Sequence, residues 1–558
     1  MNVLHTTAGV VPWPEEFARE YREKGYWKDR TIGEYILDAA DRSPDKVALV
    51  CGDMRITYAD LIDRMDAAAV RLLEGGFAAD DRILVQLPND WQFVVLTLAC
   101  FRAGIVPVMA LPAHRRHEMV HLAGHSQAVA IAVPAEHRGF DHRELAREVA
   151  AENPLVTRFL VVREDETDAL GPNEIDLDVL LAPSGGEDVR ARMDALRPDP
   201  DSPACFLISG GTTGLPKLIV RTHNDYAYNI EATSEVSGVT SDTVYLGTLP
   251  ASHNFPLACP GSLGALFAGG TAVMLPSPEP ARAFETIRRE GVTLAAAVPA
   301  VAQRWLEYQR EQGGDALASL EVLQVGGSRM PDELAAQVRP VLGATLQQVF
   351  GMAEGLINMT RLDDPDEVVL TTQGRPVSPG DEVRVVDAEG KDVPAGERGL
   401  ILTRGPYTPR GYYDAAAHNE RAFLDGWYGS GDIVEQHPDG NLVVFGRDKD
   451  IINRGGEKIS AEEIENIVYR LEAVDLVAAI GIPDDVLGER VCLCVSLQDR
   501  TRTIGLDEIR EFIAAQGVAA FKLPEALEII DDLPLTKVGK IDKRKLRETL
   551  AARGQRGE

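Results

Sequence analysis

Cysteine is scarce in this chain, basic residues are outnumbered, and no apolar run is long. The 558 residues hold six cysteines, at Cys51, Cys100, Cys205, Cys259, Cys492 and Cys494, too sparse and scattered for the disulfide framework of a small secreted scaffold. No C-x-x-C pair occurs; Cys492 and Cys494 flank Leu493 in the alternating run 491–496, so they are expected to pack on one strand face rather than to hold metal. Lys and Arg total 57 against 87 Asp and Glu, a net charge of −30, which argues against nucleic acid or anionic membrane as a generic partner because both are bound by cationic excess. The most apolar stretch, 91–101, ends at Arg102, far short of the roughly 20 residues that cross a bilayer, and reads as a buried helix. The first 17 residues lack the basic region and apolar core of a signal peptide. Reduced thiols, no membrane span and no export signal together lead us to expect a cytoplasmic protein.

What is present is a large apolar content, 45% of the residues, enough at this length for a sizeable core divided between at least two domains. Residues 82–87 read as a strand, 90–102 as a helix and 106–111 as a second strand, a β–α–β unit that implies parallel sheet. Strand and helix alternation resumes at 271–275, 284–290 and 294–298, and a polar stretch, 183–203, reads as a surface connection. The fold class expected is α/β: a large N-terminal α/β body, residues 1–448, and a small, mobile C-terminal α+β domain, residues 449–558. The small domain opens with Ser460-Ala461-Glu462-Glu463, a capping box starting a helix, followed by strands near 476–482 and 491–496. Arg447-Asp448-Lys449-Asp450 is a charged connection that can serve as a hinge.

The most informative run is Ser209-Gly210-Gly211-Thr212-Thr213-Gly214-Leu215-Pro216-Lys217, directly after an apolar strand at 204–208. Glycines let backbone N–H groups approach oxygens, hydroxyls add donors and lysine adds charge, which suits a polyphosphate. It is not a P-loop of the kinase kind, because Leu215 and Pro216 separate Gly214 from Lys217. Taken alone it also reads as a Gly/Thr turn between two strands.

Downstream, in order, come Y-T-P-R-G-Y-Y (407–413), W-Y-G-S-G-D (427–432), G-R-D-K-D-I-I-N-R-G-G-E-K (446–458) and L-T-K-V-G-K (535–540), with Tyr58 and F-G-M-A-E (350–354) before them. Together they resemble the acyl- and aryl-adenylating superfamily over nearly the whole chain. S-H-N-F-P-L (252–257) and Q-Q-V-F-G-M-A-E-G-L (347–356) resemble, within it, the stand-alone aryl acid-AMP ligases that activate salicylate or 2,3-dihydroxybenzoate. Such enzymes form aryl-AMP from ATP with loss of pyrophosphate, then pass the aryl group to the phosphopantetheine thiol of an aryl carrier protein.

The resemblance implies roles residue by residue. Lys540, on the mobile domain, would bridge the carboxylate and α-phosphate; Lys537, Lys543 and Lys545 nearby are read as solvated. Ser209, Gly210, Gly211, Thr212, Thr213, Gly214 and Lys217 would cradle ATP, and Glu354 would hold Mg²⁺, a hard cation suited to carboxylate and phosphate oxygens. Asp432, read as standing at a loop end, would bind the ribose hydroxyls, with Arg447 nearby; Gly327, Val349, Phe350 and Gly351 would form the adenine slot. His253 would lie near the carboxylate and phosphates and gate the thiol's route. Asn254 matches the residue that bonds the ortho-hydroxyl of the acid, where amino-acid-activating relatives carry aspartate. Phe255, Cys259, Gly327, Ser328, Val349 and Ile357 complete the aryl-acid pocket. Cys259 replaces a serine of dihydroxybenzoate enzymes and Ile357 a smaller valine, which favours salicylate or a methyl-salicylate such as 6-methylsalicylate over 2,3-dihydroxybenzoate. The domain swing expected after adenylation would pivot at Lys449 and bring Gly455-Gly456-Glu457-Lys458 to the site. With 18 residues after Lys540, no fused carrier domain is expected, and a separate aryl carrier protein is the expected acceptor. Free CoA, as in an aryl-CoA ligase, is the alternative within the class, and a catalytically dead docking subunit the alternative outside it.

Overall fold

The computed structural model describes residues 7–554, apart from 166, 187, 210–214, 328, 331, 388, 448–450, 500–501 and 535–542. Two parallel-rich sheets form the large body. A seven-stranded sheet contains Arg82–Val85 beside Val106–Met109, paired in parallel across the helix Trp91–Ala103. That helix is capped by Asp90, which accepts from the N–H of Trp91, and ends at Gly104. It is buried all round, as a helix apolar on every face must be. The expected β–α–β unit is thus present, with its strands ending two residues earlier than predicted.

A nine-stranded sheet holds Val244–Gly247, Thr271–Met274, Leu294–Ala297, Val322–Gly326 and Thr345–Gly351, all parallel to their neighbours among these. The single α/β body inferred from sequence is therefore two sheets, and a third, antiparallel one follows from Glu382 to Arg447. The stretch expected to be a plain surface connection, 183–203, contains a short helix, Val189–Asp194, whose Val189 and Met193 are buried. Its apolar pair, four residues apart before the next strand, was too short a signal to read as helix.

The small C-terminal domain has its own sheet, in which Val474–Asp484 and Gly488–Leu497 form a long antiparallel pair. Cys492 and Cys494 are both buried in one apolar cluster on that sheet, the packing pair expected. The helix after Ser460 spans Ala461–Val468.

Candidate active site

In open α/β sheets, ligands sit beyond the carboxyl ends of the strands, where backbone groups and loop side chains converge. Here those ends, from both large sheets, open into one cavity of about 500 Å³, closed on the far side by the small domain. Its size suits a small organic ligand.

The charged end is built by neighbouring strands. Pro203–Ser209 and Lys217–Thr222 are antiparallel, with Ser209 directly opposite Lys217. Ser209 Oγ donates to Glu354 Oε1, as does the Tyr412 hydroxyl at 2.8 Å. Lys217 Nζ lies 4.4 Å from the centre of the Tyr412 ring. Glu354 is buried; burial pushes its carboxyl up, but the two hydroxyls and the charges of Lys458 and Lys217 outweigh it and hold the pKa below the usual value. An ionised carboxylate, two hydroxyls and two lysines thus meet at one end of the cavity.

The opposite end is small and mostly apolar. Residues 252–259 turn from strand to a short helix, Asn254–Ala258, whose N-cap is His253: its Nδ1 accepts the N–H of Phe255 at 3.3 Å. That bond places the ring proton on Nε2. The ring is open to the cleft yet surrounded by protein, and burial, with the positive charge of Lys458, lowers its pKa to about 4, so the imidazole is a neutral donor. Asn254 is 6% exposed, and Phe255, Cys259, Val349 and Ile357 beside it on the cavity wall are buried. Cys259 Sγ accepts from Asn254 Nδ2 at 3.3 Å. Burial pushes the thiol up to about 12, so Cys259 is a packing and polar-contact group rather than a nucleophile.

Between the ends lie Gly327, Phe350 and Gly351. Gly327 follows its strand with φ +87°, and a Cβ there would meet Val298 Cγ1 at 3.3 Å. Asp432 also lines the cavity, but it stands inside the strand Trp427–Gln436, not at a loop end. The glycines and serine around it, G-S-G, made a strand look like a turn. Ser430 Oγ donates to Asp432 Oδ2 at 2.6 Å, and the cross-strand partner of Asp432 is Arg447.

The small domain supplies residues of the 455–458 run that the resemblance brings to the site, and Lys522, whose position no local pattern foretold. Gly456 packs on Val298, and Glu457, Lys458 and Lys522 face the cavity. Lys522 is buried between the two parts of the molecule, 2.9 Å from Glu118 of the body and 2.8 Å from Glu463 of its own domain. Glu463, read from sequence as half of a capping box, pairs with Lys522 within its own domain and meets His117 of the body at 3.4 Å. Glu118 further accepts the backbone N–H groups of Arg115 and Ala519. Lys543, expected to be solvated, pairs with Glu465 at 2.6 Å. Tyr226 behind Asn254 and Tyr412 beside Glu354 support lining residues without lining the cavity, and neither was singled out from sequence; the Y-T-P-R-G-Y-Y motif was the one available signal for Tyr412.

The structure therefore gathers Ser209, Lys217, His253, Asn254, Phe255, Cys259, Gly327, Val349, Phe350, Gly351, Glu354, Ile357 and Asp432 around one cavity or its rim. Gly210, Gly211, Thr212, Thr213, Gly214, Ser328, Lys449 and Lys540 lie outside the described residues, as does Lys537, and of Arg447 only the backbone is described.

A two-sheet α/β body, a small α+β domain over its cavity, and phosphate-type and apolar ends within that cavity define an adenylate-forming ligase. The chain belongs to the AMP-binding enzyme family: residues 36–413 match the AMP-binding enzyme domain and residues 463–540 the AMP-binding enzyme C-terminal domain. A Streptomyces sp. protein described as salicylyl-CoA synthase / salicylate adenylyltransferase is 55% identical over 98% of each chain. A 2-hydroxy-7-methoxy-5-methyl-1-naphthoate–CoA ligase from Streptomyces carzinostaticus is 50% identical, over 99% of this chain and 98% of its own. Among solved structures, apo MbtA of Mycobacterium smegmatis aligns over 97% of this chain and 98% of its own, at 44% identity and a TM-score of 0.72. Among the described residues, no helix is long and apolar enough to cross a membrane.

Proposed function

We propose that the chain activates salicylate, or a close analogue such as 6-methylsalicylate, and transfers it to a phosphopantetheine thiol in natural-product biosynthesis of the siderophore type. The aryl carboxylate oxygen attacks the α-phosphorus of ATP and pyrophosphate leaves; the thiol then attacks the acyl carbon, AMP leaves and the thiol proton is released. The observation that carries this reading is the joining of two ends in one cavity, the Glu354–Ser209–Lys217 cluster and the apolar pocket floored by Asn254 and Cys259.

Carboxylate attack brings negative charge against negative charge, so the site must supply cations and donors. Lys217 with the 209–214 run meets the phosphates, His253 offers an Nε2 proton rather than a charge, and Lys540 bridges the reacting groups. Asp432 takes the ribose hydroxyls, with Arg447 beside it; Gly327, Val349, Phe350 and Gly351 line the adenine slot. Mg²⁺ fits Glu354, an ionised carboxylate beside a hydroxyl, if phosphate oxygens complete its shell; when bound it would neutralise phosphate charge. The domain boundary at 448/449 and a pivot at Lys449 accommodate the second step.

Both relatives described above are named for ortho-hydroxy aryl acids and for CoA, which supports the ortho-hydroxyl reading and favours CoA as a second reading for the acceptor beside a separate aryl carrier protein. Both acceptors end in the same phosphopantetheine arm. ATP–pyrophosphate exchange with salicylate, 6-methylsalicylate, 2,3-dihydroxybenzoate, benzoate and amino acids tests the first step. Exchange strongest with salicylates is expected; exchange only with amino acids or aliphatic acids would overturn the reading. Salicyl transfer to CoA or to a carrier protein, followed by mass, separates the acceptors.

A further inference from the structure

Tyr226 lies on the helix His223–Val236, fully buried. Its hydroxyl donates to Asn254 Oδ1 at 2.9 Å. The guanidinium of Arg221 sits 4.7 Å from the centre of its ring, held in turn by Asp225 at 2.6 Å and by the carbonyl of Ala353 at 3.1 Å. A buried ion pair therefore holds the ring, and the ring holds the amide.

A carboxamide has an acceptor end and a donor end, and which one faces a ligand depends on its neighbours. The Tyr226 phenol carries one proton, and burial keeps it protonated by raising its pKa well above 10.0. A buried O–H needs an acceptor, and Asn254 Oδ1 is the one it has. Turning the amide over would set its N–H against the phenol oxygen and orphan the phenol proton. Cys259 does not oppose this choice, because a thiol is a weak donor and a weak acceptor alike. With Oδ1 on Tyr226 and one N–H on Cys259 Sγ, the group left for the cavity is the second N–H.

We infer that Tyr226 is a positioning residue that locks the Asn254 carboxamide donor-side toward the cavity, so that the pocket selects aryl acids whose ortho substituent presents a lone pair. The inference rests on the aryl-acid reading above. In salicylate the hydroxyl donates internally to its own carboxylate and turns its oxygen lone pairs outward, toward the amide N–H. In anthranilate the ortho amino group donates one N–H internally and turns the other outward, donor against donor. Benzoate has no ortho group and is indifferent to the orientation.

Full-length wild type, Tyr226→Phe and Asn254→Asp are compared in ATP–pyrophosphate exchange with salicylate, anthranilate and benzoate. The wild type should prefer salicylate over anthranilate by about tenfold or more in kcat/KM, because a donor is left unpaired with the wrong partner. Tyr226→Phe frees the amide to turn, and that ratio should fall about tenfold while benzoate changes within about threefold. Asn254→Asp offers an acceptor instead and should invert the ratio. A Tyr226→Phe protein that loses all three acids in parallel, or keeps the wild-type ratio, overturns the inference. If that variant shows no cooperative melt, Asn254→Asp decides: an unchanged ratio overturns the inference and an inverted one supports it. A wild type that exchanges with none of the three acids refutes the aryl-acid reading and takes the inference with it, whereas a wild type active on salicylate with orientation-blind variants refutes the inference alone.

Discussion

At the scale of single residues, the site works by controlling which groups carry charge. Glu354 is buried yet ionised because two hydroxyls and two lysines compensate its burial, whereas His253, against Lys458, stays neutral. Glu354→Gln keeps the size and an acceptor for Ser209 and Tyr412 but removes the charge; pyrophosphate exchange should fall on the order of 10²-fold with an unchanged melt. A loss of less than about threefold would remove Glu354 from the nucleotide end of the site. Cys259→Ser replaces a weak partner of Asn254 by a stronger one and should raise activity toward 2,3-dihydroxybenzoate relative to salicylate. An unchanged ratio in paired exchange assays would show that the sulfur does not set this preference. These residue types were legible in the sequence because they stand in ordered motifs. Tyr226 was not, since its partner Asn254 is 28 residues away and no local pattern joins them.

At the scale of elements, the antiparallel pairing of Pro203–Ser209 with Lys217–Thr222 turns a glycine-rich run into an opposed hydroxyl and amine. The strands on either side of that run are present and paired, and their pairing is what places Ser209 against Glu354; residues 210–214 themselves lie outside the described residues. The turn 455–456 in the small domain is the corresponding device on the other side. Gly456 has φ +91°, and a Cβ there would stand 2.7 Å from Val298 Cγ1, so this approach of the small domain admits only glycine. Gly456→Ala should slow aryl transfer to the thiol on the order of tenfold, since it costs both backbone strain and a clash, while exchange stays near wild type. Equal losses in stopped-flow measurements of the two half-reactions would argue against a step-specific role. Strand ends were predicted to within a few residues because alternation and burial are local signals; the split into two sheets was not, because sheet membership is set by pairing between distant segments.

At the scale of the whole molecule, the small domain is held to the body by Lys522, which stands between two carboxylates, and by backbone hydrogen bonds from Ala519 to Glu118 and from His117 to Gly517. Glu118 also accepts two backbone N–H groups and is held below the usual carboxylate range despite its burial, helped by the charge of Lys522. Glu463 is the surplus acid: burial raises its pKa from 4.5 to about 7, against the partial compensation of Lys522. The docked arrangement thus binds more protons than the released one between those values. Its Glu463 contribution is full below about pH 4.5 and is lost as pH rises through about 7. Inter-domain distances followed by fluorescence energy transfer should therefore lengthen from pH 6 to pH 8, and a Glu463→Gln protein should lose that dependence; the same slope in both would show that Glu463 is not the titrating group. Lys522→Met leaves the ionised Glu118 without its cation, and Glu463 as well once it ionises, and should weaken docking across this pH range, with thiol transfer reduced on the order of tenfold or more. Lys540→Ala should instead cost adenylation on the order of 10²–10³-fold and spare transfer from preformed aryl-AMP; equal loss in both steps would contradict a division of labour between faces of the small domain.

The sequence by itself determined the class of protein: an acidic, cysteine-poor α/β chain whose motifs, in fixed order, bring phosphate-binding and carboxylate-bearing residues to one place. Motifs carry this much because each is a short run whose backbone needs and side-chain chemistry are contained within itself. Only the tertiary structure decided the protonation of Glu354 and His253, the strand setting of Asp432, the partner of Glu463 and the orientation of the Asn254 amide. Each of these depends on burial and on groups far away in the chain, and neither the dielectric surroundings of a side chain nor its hydrogen-bond partner across two elements is a property of local sequence.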